Sequence, residues 1–478
     1  GVVTPLGEGF FFPSHDRDVP AMLMQLADGR GSTMPWSGVV DLDTGMAAMW
    51  FTRDEDDAMA TLYWHESPGD DEENKQAGNA VSLSWMSQKG RWGYDRTVRY
   101  WFACTGGYVS LAKRYRREAE ETGKAVTLAE KQKKLPQLAR FVGTPVGWFN
   151  FLYWIDGQEE RLAQMKWLYD RGITRMLFSS GEALEDFTPL HEWGWLTTRY
   201  DNYADMWPPD EMMVAGVGSN QVYRSREDIM RQFNGRLARG WVQRTEHGEF
   251  PGYILCGTLQ TTYARRYVPP DLERRSYDGR FIDTTTAGPL YECYDADHPM
   301  TRGDDKRARR ELMKYMGRKG LICGSEIGCD WAVPELCYGE GMLSPVAFRH
   351  PQAGNLSPDM TPVDETYAFQ LNPAVRIPLW ELVYHDCFVS YWYWGDTQNT
   401  FPELWNQRNL FNALYGVPAL YMMQYTQQWY ECRSRIVETE KQLATVLDAV
   451  GIAPMTHHAF LSDDRFFRKS EFANGVSV

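Results

Sequence analysis

Along the first part of the chain, short apolar and aromatic runs alternate with polar turn residues. Runs such as 49–52 and 60–64 are separated by clusters of glycine, proline and aspartate. Short runs with this spacing are typical of antiparallel strands that are joined by turns. The pattern therefore predicts a β-sandwich, complete or in part, over residues 1–106.

The next segment has a helical periodicity. Apolar positions recur at helical spacing from Tyr108 to Tyr115, and Gly123 follows as a stop signal. A second, polar helix is predicted to begin after Thr127, which has the side chain of an N-cap. Residues 107–142 are therefore predicted to form a helical linker.

From residue 143 onwards, apolar runs of a few residues alternate with amphipathic stretches. This alternation is typical of a parallel sheet whose strands are joined by helices. The candidate strands are 146–154, 173–178, 194–200, 252–256, 281–282, 321–323, 376–384, 389–394 and 417–423. The candidate helices are 158–171, 226–239 and 301–318. The strands exceed the eight of a barrel by one, and either 252–256 or 389–394 is the surplus strand.

The predicted fold class is α/β. A (β/α)8 TIM-type barrel spans residues 143–452, preceded by the β-sandwich and followed by the start of a C-terminal β-domain over 453–478. In that last segment, 466–470 and 475–478 resemble a hairpin with Asn474-Gly475 in its turn. Because the chain begins without Met and the hairpin ends at its last residue, we expect both ends to be incomplete.

The composition of the chain indicates which classes of ligand or partner it suits. The chain carries 50 Lys and Arg against 64 Asp and Glu, a net charge of −14, and phosphate binding requires a basic surface. No apolar run reaches the ~18 residues of a membrane span. The 19 Trp, 26 Tyr and 22 Phe suit a glycan ligand, although a large aromatic core also explains them. We therefore predict a carbohydrate substrate, and neither nucleic acid nor a membrane; oligomeric state and compartment stay open.

Two acidic residues stand where buried strands end in polar loops. Asp283 follows the run 279–282, and Glu326 follows the run 320–325. In a barrel of this kind, chemistry gathers at the C-terminal ends of the strands. Glycoside hydrolysis uses a pair of carboxyl groups, one as nucleophile or base and the other as proton donor. The alternative is that each acid caps a helix or lies on the surface.

Further polar and aromatic residues follow predicted strands and are candidates for binding sugar hydroxyls. A histidine next to an aspartate can hold two adjacent hydroxyls, one as donor and one as acceptor. The alternatives are a structural His–Asp hydrogen bond and aromatic core packing. The predicted substrate-binding residues are Tyr153, Asp156, Asp201, His385, Asp386 and Trp394.

Metal-binding signals are weak. The acidic loop 295–305 offers ligands for Ca²⁺ but lacks the spacing of an EF-hand. No CxxC pair or histidine cluster predicts a zinc site, and Cys256 and Cys323 lie in strand-like runs where cysteine acts as a small hydrophobe. We therefore predict no cofactor and no metal at the site, with a structural Ca²⁺ as a minor alternative.

At these residues the sequence resembles glycoside hydrolase families 101 and 129, the second more closely. The resemblance covers residues 100–478. It is carried by four short motifs in order: Phe281-Ile-Asp-Thr-Thr, His298-Pro-Met-Thr-Arg, Gly324-Ser-Glu-Ile-Gly and Tyr384-His-Asp. The resemblance implies a retaining α-glycosidase of the α-N-acetylgalactosaminidase group, with Asp283 as nucleophile, Glu326 as acid/base and Asp386 among the sugar-binding acids.

Three alternatives stay open at this point. The first is a different retaining α-glycosidase, such as an α-galactosidase-like enzyme, on the same scaffold. The second is a non-catalytic glycan-binding protein with a degenerate barrel. The third, a metal-dependent hydrolase, is disfavoured by the nine histidines of the chain. The sequence leaves the sugar, the aglycone and the choice between exo and endo cleavage undecided.

Overall fold

Two antiparallel sheets form the N-terminal part of the computed structural model. The structure describes residues 1–66, 77–207, 225–245, 248–356, 361 and 368–478. The strands of these sheets are β1 (Val2–Thr4), β2 (Phe10–Phe12), β3 (Met22–Gln25), β4 (Trp36–Val40), β5 (Ala47–Phe51), β6 (Ala58–Glu66), β7 (Ala77–Trp85) and β8 (Arg99–Ala103). Their orders are β2-β1-β4-β5-β8 and β3-β6-β7. Phe10 and Phe12 of one sheet share an apolar cluster with Met24 and Leu62 of the other, as the predicted sandwich requires.

Helices follow the two sheets. They are α1 (Gly107–Glu121), α2 (Leu128–Gln132) and α3 (Leu138–Phe141). Leu111 and Tyr115 lie on the buried face of α1, which packs against β4 and β5. The Thr127 hydroxyl accepts the Glu130 N–H, and Glu130 reaches back to the N–H of Thr127, so the predicted N-cap of α2 is confirmed.

A parallel barrel forms the centre of the molecule. The next strands are β9 (Val146–Phe149), β10 (Leu177–Phe178), β11 (Leu196–Asn202), β12 (Asp205–Met206), β13 (Arg239–Thr245), β14 (Gly248–Ile254), β15 (Gly279–Asp283), β16 (Ile322–Glu326), β17 (Tyr338–Glu340), β18 (Val389–Tyr391) and β19 (Leu420–Met423). Eight of them pair in the order β18-β17-β16-β15-β11-β10-β9-β19. Every pairing in this sheet is parallel. The sheet curves into a nearly closed barrel with β18 and β19 at its two ends, which confirms the predicted fold class.

Helices surround this barrel. They are α4 (Gln158–Tyr169), α5 (Thr188–Glu192), α6 (Gly257–Arg274), α7 (Arg302–Arg318), α8 (Leu379–Tyr384), α9 (Trp405–Tyr415) and α10 (Thr426–Val450). Short 3-10 turns lie at Asn150–Trp154, Gly181–Ala183, Arg226–Asp228, Asp330–Ala332, Val346–Phe348, Ala353–Asn355 and Pro402–Leu404. Within the described residues, no helix has the length and apolar character that crossing a membrane requires.

Two of the predicted barrel strands lie elsewhere. Segment 252–256 contributes to β14, in a separate antiparallel sheet of order β12-β14-β13. Segment 376–384 contains α8 instead of a strand. All of Leu379–Tyr384 is buried, and a continuous apolar run does not distinguish a buried helix from a buried strand. Segment 389–394, which was suspected to be surplus, contains the barrel strand β18.

The eighth strand was missed because β17 is only three residues long. Such a strand is too short for its periodicity to show. The predicted helix over 226–239 is also wrong. After the turn Arg226–Asp228, Ile229 pairs with Leu255 in a β-bridge, so pairing with the antiparallel sheet overrides the local pattern.

The chain ends in antiparallel strands β20 (Met455–Phe460) and β21 (Arg468–Phe472). Ser470 and Val478 exchange backbone hydrogen bonds, both at 3.0 Å, so the predicted pairing around Asn474-Gly475 is present. The partner strand β20 was not predicted. Strand β20 contacts α8, and β21 contacts α9.

Gly324 tests the packing of the barrel interior. Gly324 lies between Phe281 and Tyr338 on neighbouring strands, and a Cβ added there would overlap the buried Tyr338 ring. We expect Gly324→Ala to lower the free energy of unfolding by ~1–3 kcal/mol, the usual cost of overpacking, in chemical denaturation. The control is Gly317→Ala in α7, where a Cβ meets nothing within 4 Å, and alanine should stabilise the helix by about 1 kcal/mol. Equal stability of the two variants would contradict this packing.

Candidate active site

The ends of two neighbouring strands bring Asp283 and Glu326 side by side. β15 and β16 run parallel with Ile282 opposite Ser325, so the following residues of the two strands are adjacent. Successive side chains of a strand point to opposite faces, and these two share the face that lines a cavity at the barrel mouth. Asp283 is 7% exposed and Glu326 is 4% exposed.

The backbone leaves both strands through strained turns. Thr284 (φ 58°) and Ile327 (φ 62°), which follow the two acids, are both left-handed. β-Branched residues rarely adopt this conformation, and it costs ~1–3 kcal/mol where it occurs. The Thr284 N–H thereby donates to Oδ1 of Asp283 at 2.9 Å. Strain of this kind is typical of functional sites.

The loop between β3 and β4 braces these turns. The Gly29 N–H donates to the carbonyl of Thr286 at 3.2 Å. The indole of Trp331, in the loop after β16, donates to the carbonyl of Ala27 at 2.8 Å. Arg30, in the same N-terminal segment, lines the cavity. The first part of the chain therefore supports the strand ends that carry the two acids.

Asp283 is held by several hydrogen-bond donors. Besides the Thr284 N–H, the Tyr200 hydroxyl donates at 2.6 Å and the Asn202 amide at 3.4 Å. Burial and then the nearby Glu326 carboxylate raise the pKa of Asp283 well above its ordinary value, and the Tyr200 and Thr284 donors oppose that rise. The carboxyls of Asp283 and Glu326 repel each other when both are ionised, which disfavours the doubly charged pair.

Arg349 is the cation that contacts Glu326. Its guanidinium lies 3.5 Å from Oε1 of Glu326 and stacks over the Tyr393 ring at 3.6 Å. Stacking fixes the plane of a guanidinium and leaves its N–H groups free to donate. The donors around Asp283 are closer than the one at Glu326, so hydrogen bonding favours the ionised form of Asp283.

A third carboxyl, that of Glu340, lies beside the pair. Glu340 ends β17 opposite Glu326 and is fully buried. Its Oε2 accepts the Trp148 indole N–H at 2.9 Å, whereas its Oε1 has no hydrogen-bond partner within the described part of the chain. Burial raises the pKa of Glu340 well above its ordinary value, and the charges of Asp283 and Glu326 raise it further. Burial and the neighbouring charges therefore favour the neutral form of Glu340.

The cavity above these carboxyls has a volume of about 710 Å³, which is the size of a small-ligand site. Aromatic side chains make up much of its wall, including Trp148, Tyr200, Tyr393 and Trp394. The rings of Trp148 and Trp394 meet edge to face with centroids 5.7 Å apart. Such a wall offers flat apolar surfaces next to a charged floor.

Two of the residues predicted to bind substrate, Tyr153 and Trp394, line this cavity. Asp156 does not line it. The strand β9 ends at Phe149, and a 3-10 turn carries the chain on to an exposed Asp156. The structure therefore brings Tyr153 and Trp394 together with Asp283 and leaves Asp156 outside.

Asp201 faces away from the cavity, so its predicted place there is wrong. It lies opposite Ile282 in the β11–β15 pairing, on the outer face of the barrel. There it accepts the Tyr203 hydroxyl at 2.9 Å and lies 3.5 Å from the guanidinium of Arg280. The prediction chose the wrong face of β11 by one position, because the side chains that reach Asp283 are those of the flanking Tyr200 and Asn202.

His385 and Asp386 lie at the opposite end of the barrel, so their predicted place at the cavity is also wrong. They follow α8 and precede β18, at the N-terminal end of a strand. The His385 ring nitrogens lie 2.7 and 3.2 Å from the carbonyl oxygens of Ala453 and Gly416. Asp386 accepts two hydrogen bonds from the Arg116 guanidinium, at 2.5 and 2.9 Å. Both residues have structural partners, but each bonds to other groups, so the His–Asp hydrogen bond of the alternative interpretation is not found among the described residues either.

Sequence reasoning missed several residues of the site. Tyr200 and Asn202 could have been identified from the alternation of side chains along the strand, because residues two positions apart share a face. Glu340 was missed together with its strand, β17. Arg349 stands in a loop without a periodic pattern, and its sequence surroundings carry no signal.

Three of the four acids of loop 295–305 have structural partners. Asp295 accepts a hydrogen bond from Arg231 at 3.0 Å. Asp304 completes the capping box of α7, and Asp305 pairs with Arg309 at 2.6 Å. The weak prediction of Ca²⁺ at this loop stays a prediction.

A family model described as glycosyl hydrolases related to GH101 family, GH129, matches residues 178–356 and 351–471. These segments cover more than half of the chain and contain Asp283, Glu326 and Glu340. The chain belongs to glycoside hydrolase family 129. It is therefore a glycoside hydrolase, and the family that the sequence motifs indicated is confirmed. No curated protein matches the chain in sequence.

Solved glycosidase structures share the fold of this family 129 chain. The ligand-free α-N-acetylgalactosaminidase NagBb from Bifidobacterium bifidum has a TM-score of 0.72 at 20% identity, over 100% of this chain and 79% of NagBb. The GH36 α-galactosidase AgaA from Geobacillus stearothermophilus has a TM-score of 0.56 at 10% identity, over 99% and 65% of the two chains. A cycloalternan-degrading enzyme from Trueperella pyogenes has a TM-score of 0.51 at 11% identity, over 94% and 65%. At these identities the likeness shows the fold.

The variant Glu340→Gln tests the neutral buried carboxyl of this glycoside hydrolase. Glutamine keeps an oxygen for the Trp148 indole and cannot ionise. Because folding raises the pKa of Glu340, its stabilising contribution is complete below the ordinary carboxyl pKa of ~4.3 and is lost as pH rises towards the folded pKa. In thermal melts, we expect the unfolding temperature of the variant to rise relative to that of wild type as the pH is raised. A difference that stays constant over the same pH range would show that Glu340 carries its charge in the folded protein.

Asp386→Asn separates the structural role of Asp386 from a substrate-binding role. The change removes one of two carboxylates that pair with the largely buried Arg116, since Glu120 remains 2.8 Å away. The cost should therefore lie below the ~3–5 kcal/mol of a fully broken buried pair. We expect lower stability in denaturant titration and an unchanged KM in the folded fraction. Asp448→Asn is the control, because Asp448 pairs with Arg175 but is 61% exposed, and such pairs contribute ~0–1 kcal/mol. A raised KM at unchanged stability would instead support a substrate-binding role for Asp386.

Proposed function

We propose that this chain is a retaining α-glycosidase that removes α-linked N-acetylgalactosamine-type sugars from glycans by double displacement. The observation that carries the proposal is the placement of Asp283 and Glu326 at the ends of adjacent parallel strands, facing one cavity. Neighbouring strands lie ~4.8 Å apart. A retaining pair needs carboxyl groups ~5–5.5 Å apart, whereas an inverting pair needs ~6.5–9.5 Å. Adjacent strands therefore favour retention.

In the first step Asp283 is the nucleophile. Its anion is stabilised by the Tyr200 hydroxyl, the Asn202 amide and the Thr284 N–H, and it attacks the anomeric carbon. Glu326 gives its proton to the leaving oxygen as the glycosidic bond breaks. The product of this step is a glycosyl ester on Asp283, and the aglycone leaves as an alcohol.

In the second step Glu326 acts as a base. Its carboxylate, ionised by the first step, takes a proton from water, and the water attacks the anomeric carbon of the ester. Asp283 leaves as a carboxylate, and the two inversions restore the original configuration. Arg349, 3.5 Å from Glu326, stabilises the ionised state of Glu326 between the two steps.

The sugar class is supported by family and by cavity chemistry. The chain belongs to family 129, and NagBb, which shares its fold, carries the name α-N-acetylgalactosaminidase. The cavity combines aromatic faces such as Trp148 and Trp394 with carboxyl and guanidinium groups, and polar groups of this kind orient a polyhydroxylated ring against apolar surfaces. The cavity volume fits one or a few sugar rings.

Kinetics on p-nitrophenyl α- and β-glycosides, including the N-acetyl-α-galactosaminide, test the proposal. We expect wild type to release p-nitrophenol from that substrate and Asp283→Asn to be inactive, because no ester can form. In Glu326→Gln, removal of a general acid slows hydrolysis by ~10²–10⁴-fold. The loss should be larger on a serine-linked sugar than on p-nitrophenol, which leaves without a proton.

Asp156→Asn is the matched control, since Asp156 is exposed and outside the cavity, and it should retain wild-type activity. Equal activity of the Asn variants at 156 and 283 would remove Asp283 from catalysis. Preference for an α-galactoside without the N-acetyl group would favour the α-galactosidase-like alternative. Absence of release from every substrate, with binding of a longer glycan, would contradict the proposed removal of single sugars.

A further inference from the structure

Cys256, Cys293 and His298 converge outside the catalytic cavity. Cys256 is the N-cap residue of α6. Cys293 and His298 belong to the loop after β15, which is closed by a β-bridge between Cys293 and Met300. The two sulfur atoms and a ring nitrogen all lie within 4.8 Å of one another, and Sγ of Cys293 is 3.3 Å from Nδ1 of His298. Two segments that are distant in sequence thus present three metal-ligating groups to one point.

The spacing of these atoms matches a thiophilic metal site. Zn²⁺ binds sulfur at ~2.3 Å and imidazole nitrogen at ~2.0–2.1 Å, so that tetrahedral neighbours lie ~3.5–3.8 Å apart. The thioether of Met300 is 3.8 Å from Sγ of Cys256, in the position of a further soft donor. No large rearrangement is needed for an ion to touch all three groups.

The histidine is oriented as a ligand. Nε2 of His298 lies 2.9 Å from the carbonyl oxygen of Glu227. A carbonyl oxygen only accepts, so Nε2 carries the hydrogen. In the neutral form of the ring, the lone pair of Nδ1 is then directed towards Cys293. A metal-binding histidine is normally fixed by this type of outer hydrogen bond, which sets its tautomer and ring orientation.

The surroundings of the cluster are closed. Cys256 and Cys293 are fully buried, and the His298 side chain is 8% exposed. Met230 and Ala238 complete an apolar cluster with the two cysteines. A dry shell of this kind excludes competing water and protects thiolate ligands.

We propose that Cys256, Cys293 and His298 bind a thiophilic metal ion, Zn²⁺, with Met300 or a water molecule completing the coordination. The ion joins the start of α6 to the loop after β15. Ile254 and Tyr291, each two residues before a ligand, line the catalytic cavity, so the ion fixes one wall of that cavity. The site revises the expectation that Cys256 is only a small hydrophobe, and it gives a role to His298 in the motif His298-Pro-Met-Thr-Arg.

Metal content of the purified full-length chain, produced in zinc-containing medium without a polyhistidine tag, tests the proposal. We expect about one zinc ion per chain, the stoichiometry of a single site, by plasma mass spectrometry. Cys293→Ser and His298→Gln should lose the zinc. The matched controls Cys104→Ser and His457→Gln change exposed residues and should keep it.

Two further measurements test the proposal even if the ligand variants fail to fold. Replacement of the metal by Co²⁺ in wild type should give a thiolate-to-cobalt charge-transfer band. A chelator should lower the unfolding temperature of wild type and of Cys104→Ser, and added Zn²⁺ should restore it. Zinc-free wild type that gives no cobalt band would overturn the proposal. A Cys256–Cys293 disulfide in non-reducing peptide maps of the native protein would overturn it as well.

Discussion

Hydrogen bonding between β15 and β16 in parallel register places Asp283 beside Glu326, and the rest of the site depends on it. Because side chains alternate along a strand, a slip of one residue would turn one carboxyl to the outside of the barrel. Asp201 shows this consequence within the same sheet, since it is one residue out of phase with Asp283 and pairs with outer-face arginines instead. The register also brings Glu340 next to Glu326.

The cost of this arrangement is the burial of several carboxyls at one end of the barrel. Burial raises the pKa values of Asp283 and Glu340, and repulsion between the neighbouring carboxyls raises them further. Hydrogen-bond donors around Asp283 offset part of the desolvation. Strained turns at Thr284 and Ile327 add to the cost. The loop between β3 and β4 is hydrogen-bonded to the segments after both strands, and these bonds help to keep the turns in place.

Sequence reasoning succeeded where a local pattern has one physical meaning. Alternating apolar runs and helices indicated the barrel, and the predicted positions of Asp283 and Glu326 at strand ends agree with the ends of β15 and β16. It failed at α8, because a fully apolar run fits a buried helix as well as a strand, and the misplaced strand then put His385 and Asp386 at the wrong end of the barrel. Glu340 was not predicted because its strand, β17, has only three residues. Convergence of Cys256 with Cys293 depends on tertiary folding, which no local pattern encodes.

The most direct measurement of the central claim is the identification of the glycosylated residue. A 5-fluoro glycosyl fluoride of the preferred sugar forms the ester quickly and releases it slowly, so intact-protein mass spectrometry followed by peptide mapping locates the sugar. The account predicts one sugar per chain, attached to the peptide that contains Asp283. Attachment to Glu326 would exchange the two roles, and turnover without any covalent adduct would contradict double displacement.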